Sequence, residues 1–197
     1  MTAQGGELTG DRRRLESLNS LGLSALADAS VRQLETVVQR CYDYFLHQPY
    51  WRWFGQLEPI LNQLGSSYND GTACHLDLVQ WATDPVWGGI KDPLVRDRLL
   101  RADAAFLGQQ LAANPIRLLL LNGRSVINTV EKTYGVIFQK HPSELVSRTT
   151  KTQLVIGRGP SNIPIIGWSV NLQSSFGVTN KLKQLLAAEV GKLARSL

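Results

Sequence analysis

The stretch that decides the fold runs from Ile163 to Lys183 and reads I-P-I-I-G-W-S-V-N-L-Q-S-S-F-G-V-T-N-K-L-K. The apolar run from Asn162 to Gly167 has the length of a buried strand, and the pattern from Lys181 onward is typical of an amphipathic helix. Between them lies a mostly polar segment with two aromatic residues, Trp168 next to the strand and Phe176 further along. The stretch therefore predicts a strand, a loop and a helix in succession.

The loop in this stretch holds the first candidate binding residues. It follows the carboxyl end of its strand, where open α/β sheets place their ligands. Its polar side chains, with no evident role in a core, are Asn171, Gln173, Ser174, Ser175 and Asn180. Phe176 lies among them, and the helix begins with Lys181 and Lys183. An aromatic wedge beside hydroxyls and a basic helix start suits a surface that contacts nucleic acid. In the alternative interpretation, the polar residues cap the helix and Phe176 packs into the core.

Charge and cysteine content restrict the class of protein. The 197 residues include 21 Lys and Arg against 16 Asp and Glu, a net charge of +5 that favours a polyanionic partner, although a solvated basic surface is the alternative. Two cysteines, Cys41 and Cys74, are too few for a disulfide framework or an iron-sulfur cluster. No apolar run approaches the roughly 20 residues of a membrane helix. We therefore predict a cytoplasmic monomer without cofactor, metal or membrane association.

Strand-like and helix-like segments alternate along the chain. The predicted helices cover 12–20, 31–48, 51–64, 93–113, 126–134 and 181–193. The predicted strands are 73–79, 116–121, 152–156 as an edge strand or hairpin, and 162–167. Such alternation indicates right-handed crossovers and predicts a single three-layer α/β/α domain with a mostly parallel central sheet. Residues 1–10 are small and polar and are expected to be disordered.

Three further segments attract a functional or a structural interpretation. Residues 49–54 read P-Y-W-R-W-F, with four aromatics in five residues that either stack on bases or pack a helix entry. In the loop from Asn122 to Ser125, backbone amides at a helix start can hold a phosphate, with Arg124 alongside. His141-Pro142-Ser143 is predicted to be a turn.

The order of three loops resembles the uracil-DNA glycosylase superfamily. The loops are Gln80 to Gly89, Asn122 to Ser125 and Trp168 to Thr179, each after a predicted strand. L-D-L-V-Q-W-A-T-D-P at 76–85 resembles the second strand and Pro-containing loop of that family, and L-L-L-L-N-G-R at 118–124 is similar to its apolar third strand. G-W-S-V-N-L-Q-S-S-F-G-V at 167–178 lies where the family carries its DNA-wedging turn.

The resemblance implies cleavage of an N-glycosidic bond on a base flipped out of DNA. Phe176 would then be the wedge, Ser174 and Ser175 would contact phosphates, and Asn171 would stabilise the leaving base. Asp77, with His75 beside it, aligns with the position that reads the base edge. An ionised carboxylate only accepts hydrogen bonds, which disfavours uracil itself as the base. His75 is alternatively a packed strand histidine.

The resemblance also assigns the DNA-contacting residues. These are Arg124, Gln173, Ser174, Ser175, Phe176 and Lys181. The first strand and water-activating loop of the family have no counterpart before Asp11, which implies a truncated amino terminus or a lost catalytic step. The sequence thus predicts a DNA-repair type glycosylase-like protein that binds DNA. The alternatives are an inactive nucleic-acid binder of the same fold and a small-molecule or nucleotide-binding α/β enzyme.

Overall fold

A computed structural model describes residues 14–47, 49–80, 83 and 85–197 of the chain. The segment 1–10, for which we predicted disorder, lies outside these residues, as do the start of the predicted helix 12–20 and three residues of the loop 80–89. Within the described ranges, no helix is both long enough and apolar enough to cross a membrane.

One sheet of four strands forms the centre of the fold, in the order β1-β4-β3-β2. The strands are β1 (Leu119–Asn122), β2 (Gln139–Ser147), β3 (Thr150–Arg158) and β4 (Pro164–Trp168). β1 pairs with β4 in parallel, whereas β3 is antiparallel to both β4 and β2. The last residues of β1 and β4 and the first residues of β3 therefore lie at the same end of the sheet, which we call the loop end.

The α/β class is confirmed, but the prediction of a mostly parallel sheet is wrong. Two of the three strand pairings are antiparallel because short connections, and no crossover helix, join β2 to β3 and β3 to β4. Arg148 makes the tight turn between them with a left-handed backbone, at φ 54°. The hairpin alternative for this region is thus confirmed, and β2 rather than β3 is the edge strand.

The edge strand β2 is irregular in its middle. Its pairing with β3 shifts register between Lys140 and Glu144, and Pro142 lies in the shift. Proline has no N–H to donate and is tolerated at such an edge bulge. The predicted turn at His141-Pro142-Ser143 is therefore a bulge within a strand.

The predicted strand at 73–79 is absent, since the described backbone there is irregular and pairs with no strand. Leu76 and Leu78 nevertheless pack against the core, as their alternation indicated. The alternating pattern indicates which side chains face inward. Such side chains can be buried without their backbone pairing with another strand.

Ser30 and Asp92 cap helices as predicted, but the predicted helices 12–20 and 51–64 are wrong in extent, since residues 14–17 are not helical and 51–64 divides into two short helices. The α-helices of the described chain are α1 (Leu18–Leu21), α2 (Val31–Tyr42), α3 (Trp51–Phe54), α4 (Glu58–Gln63), α5 (Pro93–Ala113), α6 (Arg124–Tyr134) and α7 (Asn180–Arg195). Ser30 and Gln33 form a capping box at the start of α2, and the Asp92 side chain accepts from the N–H of Leu94 in α5. The Thr179 hydroxyl caps α7 in the same way.

The strands bury side chains on both faces of the sheet. On one face, Leu154, Ile166 and Trp168 belong to a cluster with residues of α4 and α7. On the other face, Val155 and Ile165 pack with residues of α6. Because α6 begins just after β1 and α7 begins after the loop that follows β4, both helix starts lie at the loop end.

Candidate nucleic-acid interface

A single side-chain amide, that of Asn122, organises the loop end of the sheet. Parallel pairing sets Asn122, the last residue of β1, opposite Trp168. Its Oδ1 accepts from the indole Nε1 of Trp168 at 2.9 Å and from the backbone N–H of Leu172 at 3.0 Å. Its Nδ2 donates to Oε1 of Gln173 at 2.9 Å. The amide thus joins the end of β1 to the loop that follows β4.

Asn171 holds the loop in a compact turn. Its Oδ1 accepts from the backbone N–H groups of Gln173, at 2.9 Å, and Ser174, at 3.2 Å. Its own N–H donates to Oγ of Ser175, and its carbonyl accepts from the N–H of Ser175. These bonds are those of an Asx turn, in which the side chain replaces a backbone acceptor. The polar residues of the loop therefore have a structural role, but the capping alternative is wrong, since Thr179 and none of residues 171–175 caps α7.

The tip of the loop is attached to the hairpin between β2 and β3. Oγ1 of Thr150 donates to the carbonyl of Gly177 at 2.9 Å, and the hydroxyls of Ser147 and Thr179 lie 2.8 Å apart. Gly177 has φ 79°, and a Cβ at this position would lie 2.6 Å from Thr150 Oγ1. Only glycine fits this approach without a shift.

Phe176 projects into solvent from this fixed tip. Its side chain is fully exposed, at 102% of its reference area. The alternative in which Phe176 packs into the core is therefore wrong. Because the backbone on both sides is hydrogen-bonded, the exposed ring is carried by a preorganised segment.

Cationic side chains adjoin the tip. Arg148, in the hairpin turn, and Lys181, in the first turn of α7, are both exposed. Lys151 pairs with Glu144 at 3.2 Å, so part of its charge is already compensated. Arg148 and Lys181 are accordingly the cations that we assign to this surface.

The start of α6 does not form the predicted phosphate site. The N–H of Gly123 donates to the carbonyl of Trp168 at 2.9 Å, and the N–H of Arg124 donates to that of Ser169 at 3.0 Å. These amides are therefore occupied by the neighbouring loop. The side chain of Arg124 is exposed at the loop end and remains able to contact a phosphate.

His75 and Asp77 lie apart from the loop in their contacts. Nε2 of His75 is 3.5 Å from Oδ1 of Asp77, and the His75 ring meets Phe54 edge-on at 5.1 Å between centroids. None of the hydrogen bonds, ion pairs or ring contacts found for these two residues in the described chain involves the loop. The structure thus places Asn171, Gln173 and the Ser-Ser-Phe tip in one loop, whereas His75 contacts Asp77 and Phe54.

No tuned acid or base was found in the loop. Burial raises the pKa of Tyr68, Cys74, Cys41 and Tyr134, and hydrogen bonds from Thr72 lower that of Asp70. All of these groups lie outside residues 168–179. Residues 168–179 contain no titratable side chain, so the polar groups of the loop are amides and hydroxyls. Among the described residues, no cluster of three or more His, Cys, Asp or Glu is placed to hold a metal ion.

A groove of the fold lies at the opposite end of the sheet. Its lining includes Gly135, Gln139, Arg158 and Leu197. These residues belong to the start of β2, the end of β3 and the carboxyl ends of the helices. The groove is therefore separate from the surface around Phe176 and has no part in it.

Three contributors to the surface were missed from the sequence. The network role of Asn122 depends on the pairing of β1 with β4, and the contribution of Arg148 and Thr150 depends on the hairpin. Neither has a local signal beyond a polar residue at a strand end. Protein-family models, curated proteins and solved structures give no match to the chain, so the resemblance to the uracil-DNA glycosylases rests on the sequence motifs alone.

Proposed function

We propose that this protein binds nucleic acid at the loop end of its sheet, with Phe176 stacking on or wedging between bases. Arg148 and Lys181 contact the phosphates beside it. The observation that carries the proposal is the complete exposure of Phe176 on a loop fixed at both sides. The net charge of +5 supports a polyanionic ligand.

The energetics of Phe176 support a ligand at this position. Burying a phenylalanine side chain stabilises a fold by about 1.5–3 kcal/mol, and this loop forgoes that gain. Stacking a base on an aromatic side chain contributes about 1–3 kcal/mol to binding. Because the loop is already ordered, little of that gain is spent on immobilising it.

Base excision is the catalytic form of the proposal and comes from the resemblance to the uracil-DNA glycosylases. Oδ1 of Asn171 is the acceptor of the Asx turn, so a role toward a leaving base would fall to its Nδ2. In this form, DNA carrying one uracil, hypoxanthine or mismatched base becomes alkali-labile at that base. The Asn171→Ala variant should lose the lability. If the wild-type protein binds this DNA but does not make it alkali-labile, base excision is refuted and binding alone stands as the proposed function.

Binding itself is tested by titrating labelled oligonucleotides against the wild-type protein and two variants. Phe176→Ala should weaken binding by about 1–3 kcal/mol through loss of stacking. Lys181→Glu should weaken it and lower the slope of log affinity against log salt by about 0.7–0.9, the value of one lost phosphate contact.

Matched controls lie elsewhere on the molecule. Phe106→Ala truncates a 44%-exposed phenylalanine on α5, and Arg117→Glu reverses an exposed charge just before β1, at the end of the sheet away from the loop. Both should bind as the wild-type protein does. Unchanged affinity in both Phe176→Ala and Lys181→Glu would refute the proposed function.

A further inference from the structure

We infer that the ligand of this surface is a single strand of nucleic acid, which extends from Phe176 to a second stacking site formed by Trp51 and Arg52 on α3. The inference rests on the proposed function and adds the strand state of the ligand and its path. It accounts for part of the aromatic cluster at 49–54, which the surface around Phe176 leaves unused.

Hydrogen bonds place α3 beside the loop and the start of α7. Nε2 of Gln173 donates to the carbonyl of Trp53 at 3.3 Å. Nζ of Lys183 donates to Oε1 of Gln56, whose Nε2 in turn donates to the carbonyl of Arg52 at 3.0 Å. Two independent contacts, one from the loop and one from α7, thus reach the same helix.

The aromatic cluster divides between the core and the surface. Phe54 is buried and Trp53 packs against the core cluster, as the packing interpretation predicted. Trp51 keeps 37% of its area exposed, and its ring centroid lies 6.2 Å from that of Phe45 in a tilted contact. Arg52, the next residue along the chain, is exposed. An exposed tryptophan followed by an exposed arginine suits base stacking with a phosphate contact.

The region between the two aromatic sites is cationic. Lys181 and Lys183 lie in the first turn of α7, and the Gln56 side chain links Lys183 to the backbone of Arg52 on α3. Lys183 is hydrogen-bonded to the neutral amide of Gln56, so this contact does not neutralise its charge. Aromatic side chains separated by cations are the arrangement with which single-strand grooves bind bases and backbone together.

A single strand fits this arrangement better than a duplex. Phe176 is three residues from Gln173, and Trp51 is two residues from Trp53, so the linking hydrogen bond keeps the two rings within roughly 35 Å. Single-strand grooves cover roughly 4–16 nucleotides, which is compatible with this span. To stack bases on both rings, a duplex must give up at least one of its own stacked base steps. The lost step lowers the affinity for the duplex by a factor of about ten.

The test compares oligothymidylate of about 15 nucleotides with the same strand in a duplex, using the wild-type protein, Phe176→Ala and four further variants. We expect the single strand to bind at least about tenfold more tightly. Trp51→Ala should weaken single-strand binding about 5- to 150-fold. Arg52→Glu should weaken it and lower the salt slope by about 0.7.

Controls match each change. Trp87→Ala truncates a tryptophan of nearly the same exposure, 38%, and Arg117→Glu repeats the charge reversal away from the surface. Neither should change the affinity. Because Trp51 also contacts Phe45, Arg52→Glu serves as the variant that leaves aromatic packing intact.

The outcomes separate this inference from the proposed function. If Phe176→Ala weakens binding but Trp51→Ala and Arg52→Glu do not, the second stacking site is refuted and the proposed function stands. Equal or tighter binding of the duplex refutes the single-strand assignment alone. Absence of binding to either form refutes both.

Discussion

Replacing Asn122 with alanine is the most direct test of how the loop end is built. The substitution removes the acceptor of two donors, the indole Nε1 of Trp168 and the backbone N–H of Leu172. Both residues are buried, at 1% and 4% exposure, so neither donor is readily reached by water. The variant also removes the donor to Oε1 of Gln173.

The expected loss of stability follows from these contacts. Leaving a buried donor unsatisfied costs about 1–3 kcal/mol. Two such donors give about 2–6 kcal/mol, and because Asn122 itself is only half-buried we expect the lower part of that range, about 2–4 kcal/mol. Urea unfolding of a protein of this size has a slope of roughly 1–3 kcal/mol per molar, so the midpoint should fall by about 1–2 M.

Asn128→Ala is the matched control in the urea experiment. Asn128 lies on α6, six residues further along the chain, and is exposed. A surface substitution of this kind should change the free energy of unfolding by no more than about 0.5 kcal/mol. If Asn122→Ala lost no more than this control, the side-chain amide of Asn122 would not organise the loop, and the reasoning from the hydrogen bonds would be refuted.

Two further predictions concern Gly177 and Tyr68. Alanine at Gly177 or at Gly71 places a side chain at positive φ, 79° and 73°, at a cost of about 1–2 kcal/mol each. Only at Gly177 would the new Cβ meet Thr150 Oγ1. In urea unfolding, Gly177→Ala should therefore lower the free energy of unfolding by about 1 kcal/mol more than Gly71→Ala does. Equal losses in the two variants would contradict the contact. Burial raises the pKa of Tyr68 above its ordinary value of 10.0. On titration, the phenol therefore loses its proton in the unfolded chain before it does so in the folded protein. The free energy of unfolding then falls as pH rises above about 10. In that range Tyr68→Phe should reduce the fall in unfolding free energy by about 1.4 kcal/mol per pH unit, and a pH profile parallel to that of the wild-type protein would contradict this.

Local signals in the sequence predicted the capping residues of several helices. Ser30 and Asp92 cap α2 and α5 as their positions indicated, and Gly22 ends α1 in the left-handed conformation that favours glycine. The apolar run before Gly167 forms β4, as predicted. Capping and apolar runs act within one turn or one strand, so they can be recognised without knowledge of the partners.

The strand pairing could not be predicted in the same way. The turn at Arg148 has no glycine, asparagine or proline to indicate a hairpin, and a short connection also joins β3 to β4, so both pairings of β3 are antiparallel. The segment around Leu76 alternates like a strand because its side chains pack inward, although its backbone pairs with no strand. Pairing is decided by residues far apart in the chain.

The candidate surface shows the same division. Phe176 and Lys181 were identified from the sequence because an aromatic residue in a polar loop and a basic helix start are local features. The hydrogen-bond partners of the loop were not identified from the sequence, since Asn122, Thr150 and Trp53 lie elsewhere in the chain. The sequence therefore predicted the exposed residues of the loop and helix start more successfully than the residues that hold the loop in place.

The interrupted edge strand β2 bears on how this protein would meet a second copy of itself. Its register shift and Pro142 break the row of N–H and C=O groups that another strand would need for pairing. Strand addition is therefore disfavoured at this edge of the sheet, and the protection does not extend to β1 at the other edge.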